Sequence, residues 1–549
     1  MQGSLNWVLS WLPRFPPLLK VANWIAVCFY ASRTPPRPHA FTLWSASDAQ
    51  APAPRKFVAT QWTGSLRPKP AWVSNYTSWP GLFDRGFTGR HLPPRDVDDK
   101  RPVPPAEAIA DLFARKGEMR DSVRSSALFC FFAQWFTDSF LRTHPTDPRR
   151  TTSNHEIDLC QIYGLDEPST RVLRSGQDGL LKARVVDGFE FPVFLYKDGQ
   201  LDPQFFDPKD EIGLTYLRAG RARQWEEAID KTFPGATTDP ERRDWFYASG
   251  LDRGGSTVVY SAFNTLFLRE HNRIARALGK VYDWDDDRLF ETARLINIRQ
   301  VLNVVVGDYI THIAGVFPFG LDRTFAEGER WYRVNRISIE FDLLYRWHSL
   351  VPDFFRLAGQ ERPHTDYRFN NHLFESLGLE QVISDASRQV AGRIGLGNTP
   401  HFLHHAELRG LHWARDFRVE GFNAYRKRFD LPAYTSMLDL TGDEAVAQKL
   451  NELYDGQVDA VELTVGLFAE KRDEGNLMAE TLLRMVAYDA FTHILTNPVL
   501  ASEVHNVATF SAVGWKIINE NAGLAEIIKR NADPSKDLLV SLSVVRPGA

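Results

Sequence analysis

Residues 343–348 read Leu-Leu-Tyr-Arg-Trp-His and place Tyr345 three positions before His348. They belong to a longer run, residues 335–352, in which apolar and charged positions alternate irregularly. If this run is helical, the two side chains lie on one face, with their Cβ atoms roughly 5–6 Å apart. Such a pair suits a haem, because the histidine can hold the iron while the tyrosine exchanges an electron with it. The stretch therefore predicts redox chemistry.

The composition is that of a folded protein with no bias towards nucleic acid. The 549 residues are 43% hydrophobic and 24% charged, which excludes wholesale disorder. Lys and Arg number 65 against 69 Asp and Glu, a net charge of −4, so nucleic acid is not an expected partner. The three cysteines, Cys28, Cys130 and Cys160, are too few for a disulfide scaffold and lack metal-ligand spacing.

The N-terminal region, residues 5–30, is rich in Trp, Leu and Phe but is interrupted by prolines and by Arg14 and Lys20. Its longest apolar piece, residues 21–31, is shorter than the roughly 20 residues that span a bilayer. No secretory signal peptide is predicted, since a basic cluster and a small-residue cleavage site are missing. Short amphipathic helices of this kind suit a position in the membrane interface. The alternative is a helical arm packed on the body of the protein.

The rest of the chain is predicted to be mainly α-helical. Apolar residues recur at helical spacing in residues 123–142, 256–278, 289–315 and 480–496. Strand signals are scarce, and residues 189–196 read as one short strand. We expect two regions. Residues 1–70 form membrane-binding amphipathic helices and a proline-rich linker, and residues 71–549 form one large helical catalytic domain.

Six segments carry a resemblance to a known family. Residues 266–275, Leu-Phe-Leu-Arg-Glu-His-Asn-Arg-Ile-Ala, resemble the LREHNR signature of the animal haem peroxidase superfamily. Five more segments narrow the match to its cyclooxygenase-like branch, the prostaglandin endoperoxide synthases and related fatty-acid dioxygenases: residues 131–138, 158–164, 345–348, 391–395 and 423–436. They occur in the family's order between about residues 70 and 540. The resemblance implies a haem peroxidase-like helical fold.

The resemblance gives the first stretch its roles. It implies that His348 is the proximal ligand of a non-covalent haem b and that Tyr345 forms the radical that abstracts a hydrogen atom from a fatty acid. Tyr309 matches the tyrosine whose hydroxyl hydrogen-bonds the radical tyrosine. In the alternative interpretation, Tyr345 and Trp347 are aromatic residues of the core, and His348 is a core histidine that is hydrogen-bonded there and binds no iron.

The distal side departs from the family. Gln134 matches a glutamine that is followed four residues later by the distal histidine, but that position is Asp138. The two side chains share a helical face at this spacing. A carboxylate with a pKa of about 3.9 can accept the proton of a hydroperoxide, but returning it requires a pKa raised by burial. His144 and His155 are possible replacements, although His155 matches a different family histidine. We expect weakened peroxidase activity; alternatively, Asp138 only caps the helix or forms a salt bridge.

The family's anchors for the substrate carboxylate are also missing. The tyrosine position falls on Val316 and the arginine position near Thr63. Arg55, Arg67 or Lys69 could supply the charge, or could simply face solvent or lipid.

Other substrate-channel positions differ too. Ala490 takes the place of the serine that aspirin acetylates, and Asp489 beside it implies either a polar substrate or a side chain that points away. The His and Thr that anchor substrate in plant α-dioxygenases are matched by Val305 and Ile310.

These observations predict a haem-dependent fatty-acid dioxygenase that adds O₂, sits on a membrane surface without crossing it and, by resemblance, forms a homodimer. Two alternatives stay open. One is a haem peroxidase or hydroperoxide-processing enzyme without oxygenase activity. The other is a catalytically silent haem-binding protein at the membrane.

Overall fold

A computed structural model describes residues 15–31, 86, 88–96, 98–144, 150–205, 239–251, 254–315, 317–329, 331–332 and 336–545. The predicted linker, the possible anchors Arg55, Arg67 and Lys69, and the positions Thr63 and Val316 lie outside these residues. No helix within the described ranges is both long enough and apolar enough to cross a membrane.

Helices dominate the described chain, as predicted. In the N-terminal half they are α1 (Pro16–Ala31), α2 (Ala106–Phe113), α3 (Ala127–Thr137), α4 (Cys160–Tyr163), α5 (Glu167–Leu173), α6 (Pro240–Arg243), α7 (Val258–Gly279), α8 (Asp286–Val304), a π-helix (Val305–Ile310) and α9 (Thr311–Ala314). They continue as α10 (Ile339–Leu344), α11 (His364–Tyr367), α12 (Asn371–Arg388), α13 (His404–Asp416), α14 (Phe422–Arg428), α15 (Met437–Thr441), α16 (Glu444–Leu453), α17 (Leu463–Ala469), α18 (Glu480–Leu495), α19 (Val507–Asn519) and α20 (Leu524–Asn531).

The strands are short and pair only as two-stranded antiparallel ribbons in the described residues. They are β1 (Asp121–Ser126) with β8 (Val390–Gly392), β2 (Ala183–Val186) with β3 (Phe189–Pro192), β4 (Tyr196–Lys197) with β5 (Gln200–Leu201), and β6 (Phe354–Leu357) with β7 (Gln360–Pro363).

Helix α7 is the centre of the core. The Thr257 side chain caps it by accepting the backbone N–H of Tyr260, and nearly every residue from Val258 to Asn272 is buried. A helix that is buried all round must be enclosed by other helices, and α7 packs against α3, α8 and α12. This packing fixes the positions of α3 and α8, which carry two of the predicted site regions.

The LREHNR-like motif on α7 has a structural role. The Glu270 carboxylate accepts hydrogen bonds from Arg273, Arg530 and Asn531. The His271 ring lies between the Tyr163 hydroxyl at 3.0 Å and the Gly179 carbonyl oxygen at 2.9 Å. Burial lowers the pKa of His271 to about 4, so the ring is neutral at ordinary pH. The LREHNR-like motif thus joins α7 to segments that are distant in the sequence.

Most of the predicted helices are confirmed, and three details are wrong. The predicted helix over residues 123–142 begins as strand β1 and becomes helical only at Ala127. The single predicted strand over residues 189–196 is divided between β3 and β4. The run through Tyr345 is not one helix, because α10 ends at Leu344.

Candidate active site

A turn, not a helix, positions Tyr345 and His348. The Ser338 side chain caps α10, and the helix ends so that Tyr345 takes φ −85° and ψ 15°. The Trp347 indole Nε1 donates to the Leu344 carbonyl at 2.7 Å, which closes the turn, and a short 3₁₀ segment begins at His348. The Tyr345 and Trp347 rings stack with centroids 4.5 Å apart. Tyr345 and His348 therefore lie at the two ends of a turn and not on one face of a helix.

His348 is held by a carboxylate that the sequence did not predict. Its Nδ1 lies 2.9 Å from Oε1 of Glu407, which is buried on α13. The Thr399 hydroxyl donates to the same oxygen at 2.9 Å. Nε2 of His348 has no hydrogen-bond partner among the described residues. The only signal in the sequence was an acidic residue within a histidine-rich helix, 59 positions from His348.

Tyr309 and Tyr345 come together as predicted. Both hydroxyls are buried, and neither makes a hydrogen bond of ordinary geometry. Burial raises the pKa of both phenols, and the neighbouring Tyr345 raises that of Tyr309 further. Both side chains are therefore neutral phenols, and each hydroxyl lies close enough to the other to affect its pKa.

The π-helix explains how Tyr309 reaches this position. One extra residue per turn rotates the side chains relative to an α-helix, and such segments are frequent at functional sites. The Tyr309 ring stacks on Phe129 with centroids 5.2 Å apart. The helix then ends at Gly315, whose φ of +89° suits glycine, and a Cβ there would lie 2.1 Å from Arg124.

An apolar cavity lies beside this segment, and its space of about 320 Å³ includes open solvent. Its walls come from α1, from the end of the π-helix and the residues after it, and from α18, and they consist of Tyr30, Ile310, Ile313, Ala314, Phe319, Leu483, Val486, Ala487, Ala490 and Phe491. Ala490 and Ile310, two predicted channel positions, line the same space. Tyr345 is not among the wall residues, but Tyr309 directly precedes Ile310.

Asp489 points away from the cavity. Its carboxylate lies 2.9 Å from Nε2 of His91, and both side chains are completely buried. The second interpretation of Asp489 therefore holds, and the apolar wall carries no carboxylate from this residue. The sequence did not identify His91 as its partner.

The predicted distal residues share the end of α3. The Gln134 amide donates to the Ser256 hydroxyl at 3.2 Å. Asp138 is the residue that follows α3, is 5% exposed and donates its backbone N–H to the Gln134 carbonyl. Its carboxylate adds to the effect of burial in raising the pKa of the Cys160 thiol.

The two possible replacement histidines, His144 and His155, lie in the segments that follow α3. His155 is buried, and its Nδ1 accepts the backbone N–H of Ile337 at 3.0 Å, a structural role. His144 lies in an irregular segment beyond α3, where its backbone pairs with Arg150.

Comparison with known proteins shows the family. The family model for the animal haem peroxidase matches residues 150–541. The chain belongs to the animal haem peroxidase family. Prostaglandin G/H synthase 1 of Rattus norvegicus is 33% identical over 475 residues, which cover 83% of this chain and 73% of that protein. Prostaglandin G/H synthase 2 of Gallus gallus is 30% identical over 493 residues, covering 87% and 76%.

Solved structures show the same fold. Oryza sativa fatty acid alpha-dioxygenase gives a TM-score of 0.62 at 17% identity and covers 81% of this chain and 80% of its own. Peroxidase A from Dictyostelium discoideum gives 0.64 at 19% identity and covers 83% and 95%. This animal haem peroxidase family member is therefore a haem-dependent oxidoreductase of the cyclooxygenase-like branch.

The residues around His348 fit a haem iron. Histidine ligands usually direct their second ring nitrogen to a carboxylate or carbonyl, which fixes the ring and raises its basicity. Glu407 does this at Nδ1, and Nε2 remains available. No cluster of three or more His, Cys, Asp or Glu side chains in the described part of the chain forms another metal site.

Proposed function

We propose that this protein is a haem b-dependent fatty-acid dioxygenase that works at a membrane surface. The observation that carries the proposal is the apolar cavity beside the buried Tyr309–Tyr345 pair. Its wall residues are uncharged, so it suits an acyl chain better than a polar substrate. The relatives named prostaglandin G/H synthase and the structural neighbour named fatty acid alpha-dioxygenase support the same substrate class.

The proposed chemistry divides into roles for this chain's residues. His348 holds the haem, with Glu407 fixing its ring. When bound, the haem supplies the one-electron oxidation of Tyr345. The Tyr345 phenoxyl takes a hydrogen atom from the fatty acid, and the resulting carbon radical adds O₂. The peroxyl radical takes the hydrogen atom back from Tyr345, so that the net reaction joins one fatty acid and one O₂ into a hydroperoxide.

Tyr309 and the wall protect the reactive tyrosine. Buried aromatic contacts exclude water from the Tyr345 hydroxyl. This exclusion protects the radical, because an exposed phenoxyl would be reduced by side reactions. We assign Tyr309 the orienting role, since its hydroxyl is the neighbouring polar group. Gln134 and Asp138 would face the peroxide at the distal side of the haem. Asp138 is less suited than a histidine to return a proton to it.

Helix α1 supports the membrane part of the proposal. Its outer face and the residue before it expose six large apolar side chains: Phe15, Leu18, Val21, Trp24, Ile25 and Phe29. Its inner face buries Asn23, Val27 and Ala31 against the body of the protein. An exposed apolar face of this size beside a lipid-binding cavity suits insertion into one leaflet. A homodimer remains a prediction.

One experiment tests the function. The protein is purified with haem, and O₂ consumption is measured with a panel of fatty acids, with and without added hydroperoxide. A fatty-acid dioxygenase consumes O₂ with at least one acid after peroxide priming. Peroxide turnover without O₂ uptake would instead identify a peroxidase, and haem binding without either activity would identify a silent haem protein.

A further inference from the structure

A buried arginine on α8 has no acidic partner in the described part of the chain. Arg299 is 6% exposed, and its Nη1 atom is buried without a hydrogen-bond partner. Its Nε donates to Nε2 of His505 at 2.9 Å. Burial and the nearby charge of Arg323 lower the pKa of Arg299 to about 10, so the guanidinium is still charged at neutral pH. No carboxylate of the described residues acts on this charge.

A second arginine contacts the same histidine. Nη2 of Arg323, a partly exposed residue, donates to the backbone carbonyl oxygen of His505 at 3.4 Å. Burial and the charges of Arg299 and Arg323 lower the pKa of His505 to about 4. The ring is therefore neutral at ordinary pH and accepts the hydrogen bond from Arg299. Two positive charges thus lie on either side of one neutral imidazole.

The acidic residues of the segment that carries Arg323 are engaged elsewhere. The Glu327 carboxylate accepts the backbone N–H of Ser502 at 2.5 Å and its hydroxyl at 2.7 Å, at the protein surface. These hydrogen bonds and, to a smaller extent, the charge of Arg323 lower the pKa of Glu327. Asp322 accepts two hydrogen bonds from the residue two positions later. Glu327 therefore offsets part of the charge of Arg323 but not that of Arg299.

Aromatic rings make the surroundings of this cluster apolar. The His505 ring contacts those of Phe510 and Trp515, with centroids 5.4 and 5.3 Å apart. Phe510 is completely buried. A charge in such surroundings favours binding of an anion, because an unpaired charge that is buried away from water is costly.

We propose that Arg299, Arg323 and His505 form a binding site for a phosphate-class oxyanion. The planar guanidinium group matches the spacing of phosphate oxygens and binds them with two parallel hydrogen bonds. His505 holds Arg299 through Nε and leaves Nη1 for the anion. None of the three residues has a role in the proposed function, so the site depends on neither the haem nor a fatty acid.

The position suits two sources of phosphate, free phosphate and the headgroup of an anionic phospholipid. The segment that carries Arg323 packs on α1. Nδ2 of Asn23 donates to the Gly320 carbonyl at 3.4 Å, and Sγ of Cys28 lies 3.6 Å from Oε1 of Glu329. Because α1 is the proposed membrane contact, this segment adjoins the surface that would meet lipid headgroups.

The first test is thermal unfolding of the haem-loaded protein in sodium phosphate, with sodium chloride at the same ionic strength as the reference. A ligand that binds only the folded state stabilises it, so phosphate at 100 times its Kd should raise the Tm of the wild type by about 2 °C. Arg299→Met and Arg323→Gln should lose this shift, and Arg299→Lys should keep part of it. Arg288→Gln, which removes an exposed cation from the same helix, should keep all of it.

Calorimetric titration with inorganic phosphate measures the affinity directly. Arg323→Gln should weaken binding by roughly 10- to 100-fold, and its partly exposed position makes it the deciding variant if Arg299→Met does not fold. Wild-type protein that neither binds phosphate nor shifts its Tm overturns the proposal. Equal phosphate binding by the wild type, Arg299→Met and Arg323→Gln also overturns it.

Cosedimentation with phosphatidylcholine vesicles, with and without phosphatidic acid, separates the two sources. If the headgroup is the ligand, phosphatidic acid should increase vesicle binding of the wild type and of Arg288→Gln but not of Arg323→Gln, and inorganic phosphate should compete. If free phosphate is the ligand, calorimetric binding remains and phosphatidic acid has no effect that depends on Arg323. Either result supports the site, and the absence of both overturns it.

Discussion

Nδ1 of His348 and Oε1 of Glu407 lie 2.9 Å apart, and Thr399 donates to the same carboxylate oxygen. The pair joins the turn after α10 to α13 and leaves Nε2 as the ring nitrogen that would bind the haem in the proposed function. A carboxylate at Nδ1 would then strengthen His348 as a ligand.

Glu407→Gln should leave the fold intact but change the redox potential and the affinity of the bound haem. Loss of the negative charge makes His348 a weaker ligand, so we expect a more positive Fe(III)/Fe(II) midpoint potential and a haem affinity lower by roughly 10- to 100-fold. Spectroelectrochemistry and haem titration measure both. Glu361→Gln, at an exposed glutamate paired with Arg356, is the matched control. An unchanged potential would contradict the role given to Glu407.

Tyr345→Phe should abolish fatty-acid-dependent O₂ uptake while the haem spectrum stays intact. The Tyr345 hydroxyl is buried without a hydrogen-bond partner of ordinary geometry, so its removal should not lower stability. Tyr367→Phe is a matched control, because Tyr367 also has a buried hydroxyl without a partner and contacts only Phe131 and Phe355 among aromatic rings. Full oxygenase activity in Tyr345→Phe would exclude it as the radical site.

Asp138→His should raise hydroperoxide turnover by roughly tenfold or more, because an imidazole both accepts and returns a proton near neutral pH. Stopped-flow reduction of hydrogen peroxide measures the effect. Asp138→Asn separates the two interpretations of the native residue: a fall in turnover indicates proton transfer by the carboxylate, and no change indicates a capping role. Unchanged turnover in Asp138→His would count against placing this position at the distal side.

Glu270→Gln should remove pH-dependent stability. Burial opposes ionisation of Glu270, but hydrogen bonds from Arg273 and the charges of Arg273 and Arg530 outweigh it and lower the pKa to about 2. A depressed pKa stabilises the folded state above the unfolded value of about 4.5, and this contribution disappears as the pH falls towards about 2. Urea unfolding at pH 7 should show a loss of about 3 kcal/mol.

The same loss should fall to about 1.4 kcal/mol at pH 3, because the unfolded chain is then protonated at this position while folded Glu270 is still mostly ionised. Glu167→Gln, at an exposed glutamate paired with Arg171, should change stability by less than about 1 kcal/mol at either pH. An equal loss for Glu270→Gln at both pH values would show that the charge is unimportant.

Leu18→Glu combined with Ile25→Glu should release the protein from phosphatidylcholine vesicles in a cosedimentation assay. Both side chains are 57% exposed on the outer face of α1, so the folded protein should lose little packing. Glutamates at Val185 and Val281, which are 69% and 61% exposed, provide the control for added charge. Vesicle binding that survives the α1 substitutions would exclude this face as the membrane contact.

The sequence predicted the elements that local patterns govern and missed contacts between distant segments. Periodicity located α7, α8 and α18, and six motifs were sufficient for the family. The turn at Tyr345 escaped prediction because a side-chain hydrogen bond from Trp347 to the Leu344 carbonyl closes it, while the spacing of the residues is compatible with a continuing helix. The contacts of Glu407 with His348 and of His91 with Asp489 could not be predicted, because the partners lie far apart in the sequence.

The π-helix also separates two parts of the proposed site. Tyr309 lies beside Tyr345, and the next residue, Ile310, lines the apolar cavity, so two consecutive residues of the π-helix reach the two halves of the proposed site. Deleting one residue within Val305–Ile310 should favour an ordinary α-helix and rotate both side chains away from these positions. The proposed separation of the tyrosine pair from the substrate space would therefore depend on the π-helical register.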